Sequence, residues 1–205
     1  MRDMIAQMRE RRDRAVVFDL TGAYVEAFYN PATDIILNPM DKRCPSWSVF
    51  MECKSHADFS SIAAALMPID GGASEPFWIL AARTLFVETC IRLQQAGKAT
   101  NRDLASRLMM ADLKDVHKLL EHTVADPLTA PEAARMAESI RAVFNTNAQA
   151  LRFLPEENPP FSICDWVART DNPGSILFLT STHNELVLDR ALLPVWLNVA
   201  VHRLM

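Results

Sequence analysis

A carboxylate closing a short apolar run, Asp19 behind Ala15-Val16-Val17-Phe18, is the first residue whose type and place could do chemistry. Carboxylates at the carboxyl ends of parallel strands face the crevice where α/β proteins hold ligands, and there they can coordinate Mg²⁺ or orient a water. Thr21-Gly22 follow at once, so Asp19 also suits a turn in which its oxygens accept from backbone N–H groups, and this bland reading is preferred. His56, His117, His122, His183 and His202 show no metal-ligand spacing; His117 and His122, five apart, are poorly aligned on one helix face. Cys44, Cys53, Cys90 and Cys164 form no C-x-x-C pair and read as reduced, buried thiols. No G-x-x-x-x-G-K-[ST], G-x-G-x-x-G, H-E-x-x-H or G-x-S-x-G occurs, so the chain offers no self-contained catalytic motif.

Cations are the other candidates. Lys+Arg total 21 against Asp+Glu 25, a net charge of -4, which excludes the global basic excess of an unaided tight binder of duplex nucleic acid. Any DNA contact must be local. Arg83, Arg92, Arg102, Arg107, Lys114 and Lys118 fall in one helical stretch, with Arg135, Arg141 and Arg152 on its last long helix. Asp103, Asp112, Asp115, Glu121, Glu132 and Glu138 interrupt them, so a solvated mixed-charge face is preferred over a DNA- or protein-facing rim.

The elements that must position these residues change character along the chain. Met4, Ile5 and Met8 recur at helical spacing; Ala15–Phe18 and Asp34–Leu37 read as buried strands, separated by a short helix carrying Val25, Phe28 and Tyr29. From about His56 to about Leu154 strand signals vanish. Phe77 to Ile91 form a long helix ending at Gly97, Thr100 with Asp103 resembles a capping box, and Leu113 to Leu120 give a further short helix. Pro131 opens a helix reaching Leu151, Pro155 to Pro160 form a linker, and Ser175–Thr180 is a strong buried strand. Leu186 to Leu204 read as one long helix that Pro194 could kink. The expectation is an α/β fold with a mainly α inserted domain: residues 1–55, an all-α domain over 56–158, and a return over 159–205. Three strands with open edges make a poor free-standing sheet. No apolar run reaches the length of a membrane span, and the first 14 residues lack a signal-peptide core, so the segment is expected to be cytoplasmic, without membrane contact.

Several separated strings together resemble one family. Arg14–Asp19 with Gly22 and Tyr24-Val25, Phe28-Tyr29-Asn30-Pro31, Asp34–Asp41, Trp47, Glu52-Cys53, Pro76-Phe77-Trp78, Ala82-Arg83, Ser139–Val143, Arg152-Phe153-Leu154, Asp165-Trp166 and Pro194–Leu197 are similar, in order, to the TraD/TrwB-type coupling proteins of type IV secretion and conjugation.

That resemblance implies a partial RecA-like nucleotide-binding domain interrupted by an all-α domain, in a membrane-anchored bacterial inner-membrane motor that is a homo-hexamer. It implies ATP and Mg²⁺ for the parent protein, with Walker A before the helix at Met1 to Arg12 and Walker B after the helix ending near Met205. The present segment is then expected to need no cofactor and to be inactive alone as an ATPase. Its implied partners are DNA with the relaxosome, or secreted protein substrates, and the secretion-channel proteins. Arg83, Arg141 and Arg152 match family strings, whereas Arg102, Arg107, Lys114 and Lys118 are nucleic-acid candidates by charge alone. Two alternatives stay open: a helical effector or chaperone adaptor without a DNA role, and another RecA-like DNA translocase.

Overall fold

The computed structural model describes residues 1–69, 76–169, 171, 174–182, 184 and 186–204. His183 and Met205 lie outside them. The chain divides into two compact units, the first of Met1–Trp47 with Phe153–Met205 and the second of Ser48–Arg152.

In chain order the first unit begins with α1 (Arg2–Arg11), β1 (Ala15–Asp19), α2 (Ala23–Phe28) and β2 (Ile35–Leu37). The second holds α3 (Val49–Glu52), α4 (His56–Leu66), α5 (Pro76–Gln95), α6 (Asn101–Ala105), α7 (Leu113–Leu120), α8 (Asp126–Thr129) and α9 (Ala134–Ala148). The first unit resumes with α10 (Ile163–Ala168), β3 (Ile176–Thr180), α11 (Leu186–Asp189) and α12 (Leu192–Leu204).

β3 is the apolar run Ile-Leu-Phe-Leu-Thr, buried at every position, and it lies in the middle of a parallel sheet ordered β1-β3-β2. A strand covered on both faces has no polar side to alternate with, hence the continuous apolar reading. Ala15 pairs with Ile176 and Asp19 with Thr180, while Ile35 pairs with Leu177 and Leu37 with Leu179. One face of the sheet, carrying Val17, Ile36, Ile176 and Phe178, closes on Ile5 of α1 and Val25 of α2. Behind it, the Trp166 indole N–H donates to Ser175 Oγ at 2.9 Å, and that hydroxyl donates onward to the Thr33 carbonyl at 2.6 Å. Arg14 Nη1 caps α10 through the carbonyls of Trp166 (2.7 Å) and Val167 (3.1 Å). Gly174, at φ +83°, is required where it stands: a Cβ there would meet Arg12 Cα at 3.2 Å.

The C-terminal stretch departs from the expected single kinked helix. It breaks after Asp189, and Pro194 falls in the first turn of α12, where a missing N–H leaves no intrahelical bond unmade. The expected helix through Leu151 likewise ends at Ala148, tightening into a 3₁₀ turn over Gln149–Phe153.

In the second unit every described element is helical. Ser55 opens α4 with a full capping box, its oxygen accepting from the Asp58 N–H while the Asp58 carboxylate accepts from the Ser55 N–H. α5 packs most extensively on α9, through Phe86 and Phe144 with ring centroids 6.1 Å apart. Gly97 adopts φ +68° just beyond α5, as a helix end demands.

Candidate nucleic-acid interface

Four of the seven cationic candidates ride on one continuous stretch. Thr100 caps α6 by accepting from the Asp103 N–H at 2.9 Å. Past Ala105 the helix widens into a π turn over Ser106–Met110, with Leu108 turned inward and Met110 exposed. Such turns displace the side chains that follow from the ordinary helical face, and they recur at functional sites. Asp112 then starts α7 afresh, accepting from the Lys114 N–H at 2.9 Å. α7 buries Val116 and Leu120, which leaves Lys114, Asp115 and Lys118 on its exposed face. Arg102 is exposed and Arg107 half-buried, so all four cations reach solvent from two short helices and the turn that joins them.

The other three candidates sit differently. Arg83 turns back on the end of α4: its Nε donates to the Met67 carbonyl at 2.9 Å, and Nη2 donates to Met67 at 2.6 Å and Ala64 at 3.4 Å. Burial pulls its pKa down. Its donors complete orphan carbonyls at a helix C-terminus, which is the place a cation favours. Arg141, half-buried on α9, has its Nη2 buried with no partner among the described residues; burial lowers its pKa, and Glu138 and Asp112 oppose that shift. Arg152 is exposed in the 3₁₀ turn after α9. Arg92, the neighbouring cation of α5, donates to the Glu121 carbonyl at 2.8 Å.

Two of the histidines, His117 and His122, take structural places. His117 Nδ1 lies 3.3 Å from Thr129 Oγ1 and 3.6 Å from Asp126, tying α7 to α8, and His122 holds φ +64° at the turn between them. Among the described residues no group of three or more His, Cys, Asp or Glu is placed to hold a metal.

Asp19 resolves to the turn reading. It is buried, with Oδ1 accepting from the N–H and hydroxyl of Thr21 at 3.3 and 3.2 Å, and Oδ2 from the N–H groups of Tyr24 and Val25 at 2.8 and 3.0 Å. Its lone pairs serve the start of α2, so it does not fit a Mg²⁺ ligand.

Sequence reasoning missed the π turn, which has no residue signature of its own. It also missed Asn101, whose buried Oδ1 accepts from Ser48 Oγ at 3.1 Å and from the Val49 N–H at 3.4 Å, joining the starts of α3 and α6. Only its place after the capping threonine could have suggested a role.

The chain is 31% identical over 202 residues to the coupling protein TraD of Escherichia coli (strain K12), covering 96% of this chain and 28% of that protein. Its fold matches the unbound monoclinic form of the bacterial conjugative coupling protein TrwBdeltaN70 at a TM-score of 0.85 and 29% identity, covering 98% of this chain and 47% of that one. The plasmid coupling protein TrwB in complex with ADP and Mg²⁺ matches at 0.85 and 28%, covering 98% and 48%. The chain thus spans about half the length of these solved relatives and 28% of TraD. No helix among the described residues is long and apolar enough to cross a membrane. A model of the type IV secretion-system coupling protein DNA-binding domain matches residues 1–205, and the chain belongs to that family.

Proposed function

We propose that this chain is the cytoplasmic segment of a coupling protein that guides DNA with its relaxosome, or a protein substrate, to the secretion channel. In this reading the first unit is part of a RecA-like motor domain, and the helical unit Ser48–Arg152 is an all-α domain inserted into it. In this reading the parent is a membrane-anchored homo-hexamer that takes ATP and Mg²⁺; the nucleotide part of it is supported by the TrwB relatives solved with an ATP analogue and with ADP and Mg²⁺.

The observation that carries the DNA role is the solvent-reaching cationic run of exposed Arg102, Lys114 and Lys118 with half-buried Arg107, on α6, the π turn and α7. Arg141 and Arg152 extend the candidate contact, whereas Arg83 serves first as a helix cap. Cations on adjacent short elements, re-aimed by a widened turn, suit a backbone that presents one phosphate per nucleotide. The test is fluorescence anisotropy with single-stranded and duplex oligonucleotides at low salt, comparing the native chain with a variant in which these four cations are replaced by Glu. Lost binding with intact circular dichroism supports the reading; unchanged binding moves the contact elsewhere. Absence of binding to either form favours a protein adaptor, to which the interleaved Asp103, Asp112 and Asp115 also lend themselves.

A further inference from the structure

A cavity of about 410 Å³ opens in the first unit at the carboxyl ends of all three strands. That volume lies within the range of about 300–1,000 Å³ in which small molecules are held. On one side stands a rigid flat cation: Arg43 Nε donates to Asp41 Oδ1 at 2.9 Å and Nη2 to Asp41 Oδ2 at 2.6 Å, and its Cζ lies 4.9 Å from the centroid of the Tyr29 ring. Tyr29 is held in turn by an edge contact with Phe178, their centroids 6.4 Å apart. The guanidinium is therefore fixed in orientation, with half its side chain open to solvent.

Two recessed polar side chains line the same cavity. Asn38 and Thr180 are each only 6% exposed. Asn38 Oδ1 accepts from the Met40 N–H at 2.9 Å, which leaves the amide nitrogen to the cavity. Among the described residues Thr180, the last residue of β3, spends its hydroxyl on no other group. A few polar side chains recessed in a cavity wall are what fixes the orientation of a bound small molecule.

The charge pattern selects the ligand. Asp41 neutralises Arg43, and the Glu26 carboxylate on the rim repels phosphate, so the platform is suited to a flat neutral ring rather than to an anion. We propose that this cavity binds a nucleobase, stacked on the open face of the Arg43 guanidinium with its polar edge against the Asn38 amide and the Thr180 hydroxyl. A duplex keeps its bases stacked and paired, so the base comes either from a single strand or from a free nucleotide. This site is separate from the phosphate-reading surface proposed on the helical unit, and neither reading depends on the other.

The experiment compares a 12-nucleotide single strand, an abasic strand of equal length and free adenosine on the 205-residue chain. Anisotropy reads the strands, and the NMR amide signals of Asn38 and Thr180 read adenosine. For a single-strand site, the base-bearing strand binds about tenfold more tightly than the abasic one. Arg43→Lys, which keeps the charge and loses the plane, and Thr180→Val, which keeps the shape and loses the hydroxyl, each erase that margin without changing abasic binding. For a free-nucleotide site there is no margin between strands, but adenosine shifts both signals in the native chain and neither in Arg43→Lys. No margin and no shift, or effects that survive both substitutions, overturn the proposal. The Glu variant of the helical unit keeps the arms distinct, because it weakens both strands together and leaves the adenosine response intact.

Discussion

Arg9 and Asp34, from α1 and the residue before β2, form a forked ion pair in which Nη1 donates to Oδ1 at 2.9 Å and Nη2 donates to Oδ2. The carboxylate is fully buried, and it also accepts from the N–H groups of Ile176 and Asn30 at 3.0 and 2.8 Å and from the Thr33 hydroxyl. Arg9 meanwhile donates to the carbonyls of Gly174 and Phe28, each at 2.8 Å. One pair thus fastens α1, the end of α2 and the starts of β2 and β3.

Removing one partner of such a pair leaves a buried charge uncompensated. Asp34→Asn is expected to destabilise the first unit by about 3–5 kcal/mol. Urea unfolding followed by tryptophan emission in a Trp78→Phe background reads this unit alone, since Trp47, Trp166 and Trp196 all belong to it. A loss below about 1 kcal/mol, the scale of an exposed pair, contradicts the assignment.

Arg83→Met should cost about 1 kcal/mol in the helical unit, because the Met67 and Ala64 carbonyls lose their cap at a partly exposed site. Oligonucleotide affinity should stay within twofold of the native chain. A large drop in affinity with stability preserved would return Arg83 to the interface.

Salt dependence separates the four cations of α6, the π turn and α7 from the rest. If Arg102, Arg107, Lys114 and Lys118 each neutralise a phosphate of a single strand, replacing all four with Gln flattens the slope of log K against log salt by about 3. Titrations between 50 and 200 mM salt, roughly the range over which such contacts are usually resolved, measure it. An unchanged slope with weakened binding points to an indirect, structural effect.

Burial raises the Cys90 thiol well above its ordinary value of 9.0, with the nearby Cys53 adding to the shift. A thiol whose folded pKa is raised holds its proton when the unfolded chain has released it. Its contribution is therefore fully present below about pH 9 and is lost as pH climbs toward the folded value. Iodoacetamide at pH 8 should label Cys164, which is half-buried, in the native chain, and Cys44, Cys53 and Cys90 only after unfolding. Native labelling of Cys90 at the rate of Cys164 would contradict its burial.

What was legible in the sequence was whatever depends on neighbours along the chain. The run ending at Thr180 announced a strand covered on both faces, and the Thr100 cap announced the start of α6. What escaped depends on contacts between distant residues. The π turn at Ser106–Met110 forms where Leu108 is drawn inward by packing, and the break after Asp189 is marked by no glycine. In the candidate site the exposed charges could be named in advance, but not that Arg83 would be claimed by the end of α4, sixteen and nineteen positions back. Asp19 could be placed at a strand end; only the folded turn shows its oxygens already occupied.

The strand order carries a consequence for biosynthesis. Among the described residues β1 and β2 are not paired with each other; each pairs with β3, which the ribosome delivers after all of Ser48–Arg152. At about 5–20 residues per second, the two early strands wait on the order of ten seconds without their ladder partner. During that interval the helical unit, built from local contacts, can complete itself, while the N-terminal strands remain open to proteases and chaperones. On this order of delivery the second unit can form before the first, and a translational pause placed just ahead of β3 is expected to lengthen the interval in which β1 and β2 lack their ladder partner.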